Sequence, residues 1–212
     1  MAVDNKLRIG QKALELFMQY GIRSVSMDDI ANALGSSKKT IYQYYKDKNE
    51  LVSDVIESVL LNNAHTCEDT RQKAENAVHE GFLAIENVRE LMKSMNPVLM
   101  FDMRKYYPQA FKKFMQYKKQ FLHKYIKENI EWGIKDGLFR EDIPVELASL
   151  FRIESIDVPF IPELYENVKM DMATIQEHVF ELFLYGLATP KGVKLINRYK
   201  KQRVKLLTND KN

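Results

Sequence analysis

The chain has 212 residues, of which 45% are hydrophobic and 29% charged, with a formal net charge of +3 and an isoelectric point near 8.7. This balance is typical of a soluble globular protein and excludes a disordered chain. No segment approaches the roughly 20 apolar residues of a membrane span, and the charged N-terminus lacks the apolar core of a signal peptide. A single cysteine, Cys67, excludes an intrachain disulfide or a multi-cysteine zinc site. We therefore expect a cytoplasmic protein with no membrane partner.

The N-terminal region predicts three helices in close succession. Apolar residues at helical spacing end at Gly21, which is suited to cap a first helix. A second helix is expected to start after Ser26, whose hydroxyl can cap its N-terminus, and to stop at Gly35. Ser37 is the next capping residue and starts a third, short helix that we expect to reach about residue 44.

Longer helices are predicted in the rest of the chain, where glycine and proline are sparse. The predicted helices are 48–65, 69–95, a short helix within 98–107, 108–136, one opened by Pro144, 171–187 and a final basic helix that starts at Pro190. On the helix after Pro144, we expect Leu147, Leu150 and Phe151 to face inward. No alternating strand pattern occurs, so the sequence predicts an all-α protein with a small N-terminal helical domain followed by a larger helical bundle.

The second and third helices have the arrangement of a helix-turn-helix. Residues 35–37 form a tight glycine-containing turn between two short helices, and such a unit places its second helix in the DNA major groove. Ile41 and Tyr45 lie four residues apart and can pack inward. This register turns two lysines, a tyrosine and a glutamine outward: Lys38, Lys39, Tyr42 and Gln43.

The outward side chains have the chemistry that DNA contacts require. Lys39 can pair with the O6 and N7 atoms of guanine, and Gln43 can bond bidentately to adenine. Phosphate contacts are expected from hydroxyl groups, one ammonium group and two helix N-termini: Thr40, Tyr42, Tyr44, Lys48, Ser26 and Ser37. The alternative is that the lysine pair is an ordinary solvated helix start and that the tyrosines belong to the core.

These residues, as a set, resemble the N-terminal pattern of the TetR/AcrR family of bacterial transcriptional regulators. The matching positions are Ser26-Met27-Asp28-Asp29-Ile30-Ala31, Gly35-Ser36-Ser37-Lys38-Lys39-Thr40-Ile41-Tyr42, Tyr45 and Lys48-Asn49-Glu50-Leu51. The resemblance covers roughly the first 52 residues. A weaker similarity, at 133–140, is to a turn in the family's ligand domain.

The resemblance implies the same DNA contacts by position. Ser26, Ser37, Thr40, Tyr42 and Lys48 would grip phosphates, and the base edges would be contacted by a second set: Lys38, Lys39, Gln43 and Tyr44. The chain departs from the family at Lys39, where a small residue is common. Lys6 and Arg8, ahead of the first helix core, are open candidates for backbone or minor-groove contacts.

The resemblance also implies a domain plan and a regulatory mechanism. Residues 1–48 would form the DNA-binding domain and 49–212 a regulatory domain for ligand binding and dimerisation. Two copies would form a homodimer through the helices near 144–156 and 171–187 and bind a palindromic operator on double-stranded DNA. A small hydrophobic or amphipathic effector would release this repressor; the alternatives are an activator and a helical-bundle protein that does not bind DNA.

Two sets of residues in the larger domain have an open interpretation. A ligand pocket, or plain helical core, is predicted from five residues: Met100, Phe101, Met103, Tyr117 and Phe121. A dimer face, or intramolecular core, is predicted from an apolar stripe: Ile175, Val179, Leu182, Phe183 and Gly186.

Enzymatic chemistry is not expected from this sequence. A di-iron bundle needs Glu-x-x-His pairs, and none occurs. A glycine-rich phosphate loop and a nucleophile motif are also missing. We expect no cofactor and no metal.

Overall fold

The computed structural model describes residues 2–165 and 167–209 and is built from α-helices. Within these ranges the helices are α1 (Ala2–Tyr20), α2 (Met27–Ala33), α3 (Lys38–Tyr42), α4 (Lys48–Lys73), α5 (Ala77–Lys93), α6 (Val98–Tyr106), α7 (Pro108–Tyr117), α8 (His123–Lys135), α9 (Val145–Ser155), α10 (Met172–Leu187) and α11 (Pro190–Asn209). Short 3₁₀ turns span Val158–Phe160 and Pro162–Leu164. The predicted all-α fold is confirmed. In this part of the chain, no helix has the length and apolarity to cross a bilayer.

The boundary between α4 and α5 differs from the prediction. We expected one helix over 69–95, but α4 continues to Lys73 and α5 begins at Ala77. The side chain of Asn76 accepts a hydrogen bond from the backbone N–H of His79 at 2.9 Å, so it caps the start of α5. A capping asparagine inside an apolar pattern therefore starts a new helix.

The predicted helix over 108–136 is confirmed in extent, with an interruption. A π-helical turn, Lys118–Leu122, separates α7 from α8. The helix over 171–187 is confirmed, and the side chain of Asp171 accepts from the backbone N–H of Thr174 at 2.7 Å to cap it. The final basic helix begins at Pro190 as predicted.

The chain divides into two compact units. Unit 1 contains the residues up to His65 together with Lys93–Lys119. Its buried core joins α1, α2, α3, the first half of α4 and the helices α6 and α7, through side chains such as Phe17, Ile41 and Met103. The predicted domain boundary at residue 48 concerns the DNA-binding function and stays a prediction, because unit 1 is defined by packing alone.

Unit 2 contains Thr66–Met92 together with the residues from Gln120 onward. Its core is formed by α5, α8, α10 and α11 and the turn after α8, through side chains such as Ile130, Phe139, Leu184 and Ile196. The basic helix α11 is joined to this unit by ion pairs. For example, the Arg203 guanidinium donates to the carboxylates of Glu86 and Glu177 at 2.7 and 2.6 Å.

The orientation of α9 is opposite to the prediction. Leu147, Leu150 and Phe151 are 65%, 45% and 61% exposed, whereas we expected them inside. Ser149 and Arg152 lie on the buried face instead. Apolar residues at helical spacing show that a helix has an apolar face, but they do not show which surface covers that face.

The apolar stripe of α10 is divided between two faces. Ile175 and Phe183 are buried in the core of unit 2, whereas Leu182 is 74% exposed and Gly186 is exposed. Val179 is half-buried between them. Ile175 and Phe183 therefore belong to the intramolecular core, and the dimer face stays a prediction for the exposed part of the stripe.

Candidate nucleic-acid interface

Ser26 and Asp29 fix the start of α2 by a capping box. The Ser26 hydroxyl accepts from the Asp29 backbone N–H at 3.1 Å, and the Asp29 carboxylate accepts from the Ser26 backbone N–H at 2.7 Å. Hydrogen bonds from Ser26 lower the pKa of the Asp29 carboxyl below its usual range. The predicted cap is confirmed, and Ser26 lies at a helix N-terminus as a phosphate contact requires.

The turn between α2 and α3 depends on one glycine. Gly35 has φ +61°, a left-handed conformation in which a Cβ is strained. The backbone N–H of Ser36 then bonds to the carbonyl of Ala31 at 2.9 Å, which closes the end of α2. This turn sets the direction in which α3 leaves α2.

Helix α3 presents the expected face to solvent. Ile41 and Tyr45 are buried at 0% and 2% exposure, as predicted from their spacing. Ser37 caps the helix by accepting from the Thr40 backbone N–H at 3.1 Å. The predicted outward residues are all exposed: Lys38, Lys39, Tyr42 and Gln43. The orientation is confirmed, and the assignment of these side chains to bases or phosphates stays a prediction.

Within the protein itself, Lys38 has an anionic partner. Its ammonium donates to the Asp28 carboxylate at 2.9 Å, and this contact raises the pKa of Lys38. Both side chains are exposed, so the pair is weak and open to exchange with a phosphate. Lys39 and Gln43 lie beside it on the outward face.

Lys48 holds the turn between α1 and α2. Its ammonium donates to the carbonyls of Ile22 and Arg23 at 2.6 and 3.4 Å and lies 5.6 Å from the centre of the Tyr107 ring. Burial lowers the pKa of Lys48, whereas the negative charges of Asp102 and Asp29 act in the opposite direction. A phosphate contact by Lys48 would therefore use an ammonium N–H that does not already donate to these two carbonyls.

The N-terminal basic residues are only partly available to DNA. Lys6 pairs with Asp54 at 3.1 Å, and the same carboxylate accepts from the Tyr45 hydroxyl at 2.9 Å. The Tyr44 hydroxyl accepts from the Asn5 amide at 3.3 Å, which ties the end of the α3 segment to α1. Arg8 is exposed.

Sequence reasoning missed the residues that hold the α1–α2 turn. The buried carboxylate of Asp102, on α6, accepts from the backbone N–H of Arg23 at 2.8 Å. The Arg23 guanidinium donates to the Tyr106 hydroxyl at 2.5 Å and lies over its ring, 4.5 Å from the centre. Asn96 bonds to the carbonyls of Met18 and Gln19, at 2.7 Å through its backbone N–H and 3.0 Å through its side chain.

We call three residues that hold the α1–α2 turn the α6 clasp: Asn96, just before α6, and Asp102 and Tyr106 on α6. A lone aspartate within the apolar sequence of residues 98–103 was the available signal, because a buried carboxylate requires a hydrogen-bond partner. The clasp lies outside the predicted helix-turn-helix in sequence. It nevertheless fixes the turn from which α2 starts.

The five residues predicted to line a ligand pocket are placed in both units. Met103 is buried in the core of unit 1, where Met100 and Tyr117 are half-buried. Phe101 is 56% exposed and meets the Tyr106 ring edge-on, while Phe121 belongs to unit 2 and stacks on Tyr125. Their role in ligand binding stays a prediction.

Comparison with known proteins supports the helix-turn-helix assignment. Residues 9–55 match the family model described as bacterial regulatory proteins, tetR family. The chain is 28% identical over 195 residues to the HTH-type transcriptional regulator YvaF of Bacillus subtilis (strain 168), covering 85% of this chain and 94% of that protein.

Solved structures share the fold over both units. A transcriptional regulator from Saccharomonospora viridis in complex with choline superposes with a TM-score of 0.70 at 17% identity, covering 88% of this chain and 99% of that one. The regulator FadR of Bacillus subtilis in complex with stearoyl-CoA superposes with a TM-score of 0.67 at 21% identity, covering 85% and 98%.

Proposed function

Because the chain belongs to the TetR family of bacterial transcriptional regulators, we propose that it is a repressor that binds a palindromic operator as a homodimer and is released by a small hydrophobic or amphipathic ligand. The observation that carries the DNA-binding part is the division of α3. Ile41 and Tyr45 anchor one face in the core, and Lys39, Tyr42 and Gln43 stand exposed on the other.

Base contacts are assigned to the outermost side chains. The Lys39 ammonium can donate hydrogen bonds to guanine. The Gln43 amide can both donate a hydrogen bond to adenine and accept one from it. Lys38 adds positive charge once a phosphate replaces Asp28, and Tyr44 lies at the edge of this face. The phosphate contacts come from the caps and hydroxyls around it: Ser26, Ser37, Thr40, Tyr42 and Lys48.

The test compares variants that separate positioning from base contacts. Tyr42→Phe removes only a hydroxyl and is expected to weaken binding to all DNA sequences alike. Gln43→Ala is expected to change the preference at one base position by roughly 1–3 kcal/mol. The measurement is selection from randomised operators, followed by titrations over a salt series. Several phosphate contacts make DNA affinity fall steeply as the salt concentration rises, so an affinity that does not change with salt would refute the DNA-binding proposal. An unaltered base preference in Gln43→Ala would refute the base contact assigned to Gln43.

The dimer part of the proposal is supported by exposed apolar surface on unit 2. Leu147, Leu150 and Phe151 on α9 and Leu182 and Tyr185 on α10 are each at least 37% exposed. Large exposed apolar side chains grouped on adjacent helices are typical of an interaction surface. A second copy would cover this face. The two recognition helices of the dimer, one from each copy, would then contact half-sites about 34–36 Å apart.

Leu182→Lys tests this face. Burying a lysine charge at an apolar interface is costly, so we expect this variant to be monomeric at micromolar concentration by sedimentation velocity. Leu61→Lys is the control, because Leu61 is 59% exposed on α4 and is not one of the residues of the proposed face. A Leu182→Lys protein that remains dimeric would place the interface elsewhere.

The α6 clasp is the proposed route from ligand to DNA. Met100, Phe101 and Met103 lie on the same helix as Asp102 and Tyr106, so a ligand that contacts them biases the position of the clasp. The clasp in turn holds the α1–α2 turn through Arg23. Coupling of this kind typically changes DNA affinity by about 1–3 kcal/mol. The choline and stearoyl-CoA bound by two proteins of similar fold support a small-molecule effector.

A further inference from the structure

Among the residues of unit 2 that the structure describes, one buried guanidinium has no carboxylate within ion-pair distance. Arg152, on α9, is 8% exposed, and burial alone lowers its pKa to about 10. Its hydrogen-bond partners are neutral. Nη1 donates to the Ser155 hydroxyl at 3.0 Å, and the Gln176 amide, with its oxygen toward the guanidinium, accepts from Nη1 and Nη2 at 3.1 and 3.0 Å.

Glu80, a second buried ionic group among the described residues of unit 2, provides a contrast. Glu80 is 1% exposed and is neutralised by the guanidinium of Arg71. Arg152 has the Phe180 ring at 5.2 Å instead of a carboxylate. An unpaired buried charge costs several kcal/mol, so the burial of Arg152 among neutral groups requires an explanation.

The direction of Arg152 favours a small molecule over a second protein chain as the source of the missing charge. At about 100° per residue along a helix, Arg152 lies about 140° around α9 from Leu147 and about 100° from Phe151, both on the exposed face. Gln176 and Phe180, on α10, are likewise buried. The guanidinium is therefore directed into the interior of unit 2, away from the face proposed for the dimer.

We propose that Arg152 is the anion-binding group of a ligand site within unit 2, and that the ligand is an amphiphile with a carboxylate head group and an apolar body. A guanidinium pairs with a carboxylate in a planar, two-pronged geometry. The aromatic ring of Phe180 beside it suits the apolar part of the same molecule. The inference rests on the proposed ligand response and adds the charge of the ligand to it.

The experiment measures direct binding to the full chain, without DNA. Dodecanoate, below its micelle concentration, is titrated against the protein by calorimetry and by the fluorescence of the single tryptophan, Trp132 on α8. Dodecan-1-ol is the neutral match. We expect the wild type to prefer the carboxylate by about 10- to 100-fold, the range of a hydrogen bond to a charged group.

Two variants remove the site in different ways. Arg152→Met deletes the charge and is expected to lose the preference. Gln176→Glu supplies an internal carboxylate, so it is expected to abolish dodecanoate binding while raising the melting temperature, which keeps the test valid if Arg152→Met does not fold. Lys124→Met, which removes an exposed charge on α8, is the control and should bind as wild type.

Two results would overturn the inference. One is equal binding of dodecanoate and dodecan-1-ol by the wild type; the other is an unchanged preference in both Arg152→Met and Gln176→Glu. Operator binding is measured separately. Failure of the operator titration with an intact carboxylate preference would remove the proposed regulatory role and leave the anion site standing, whereas the reverse result would remove only the anion site.

Discussion

Removal of the Asp102 carboxylate is expected to destabilise unit 1. Asp102→Ala deletes the acceptor of the Arg23 backbone N–H, a 2.8 Å hydrogen bond to a buried charge. Such a bond contributes about 1.5–3 kcal/mol. The variant also removes one of the two negative charges that favour the protonated form of the half-buried Lys48 ammonium and leaves only that of Asp29. Together these losses give an expected decrease of about 2–4 kcal/mol in the free energy of unfolding.

Asp102→Asn separates the two contributions. Its amide oxygen still accepts from Arg23, but the negative charge is gone, so we expect a decrease of about 1 kcal/mol. Urea unfolding followed by circular dichroism measures both variants, and operator titrations on the folded proteins show whether the α1–α2 turn still positions α2. An Asp102→Ala protein within about 0.5 kcal/mol of wild type, the range of an ordinary surface substitution, would refute the clasp. Equal losses in the two variants would refute the hydrogen-bond contribution.

Two further predictions concern the turns and the caps. Gly35→Ala should cost about 1–2 kcal/mol for its left-handed backbone alone, since nothing lies within 4 Å of the added Cβ. Gly21→Ala should cost more, because Gly21 has φ +82° and its Cβ would also lie 2.7 Å from a Val98 methyl group; equal shifts in melting temperature would contradict this order. Hydrogen bonds from Thr174 lower the pKa of the Asp171 carboxyl. The ionised Asp171 therefore stabilises the fold above its unfolded-state pKa, and this contribution is lost as the pH falls through the folded-state pKa. The stability difference between wild type and Asp171→Asn should accordingly narrow from pH 7 to about pH 3; a constant difference across urea titrations at these pH values would exclude a role for that charge.

Features that depend on neighbours in the chain could be predicted from the sequence. Ser26, Ser37 and Asp171 cap helices because their side chains reach backbone N–H groups a few residues away. Gly35 permits the turn by its own backbone freedom. The four-residue spacing of Ile41 and Tyr45 determines which face of α3 is exposed, once one face must be buried. The helix-turn-helix and most helix boundaries follow from such short-range rules.

Features that depend on contacts between distant segments were decided by the tertiary structure. The apolar spacing on α9 was visible, yet Leu147 and Phe151 are exposed while Arg152 is buried, because other helices of the unit cover that side. The partners of Lys48, in the α1–α2 turn, and of Asp102, 79 residues from Arg23, exist only where the packed helices bring these groups together. Hydrogen bonding and charge neutralisation of buried groups require a particular partner at a particular distance. The sequence by itself therefore determined which helices form and which face of α3 is exposed, and the tertiary structure decided which charges are paired and which apolar surface remains exposed.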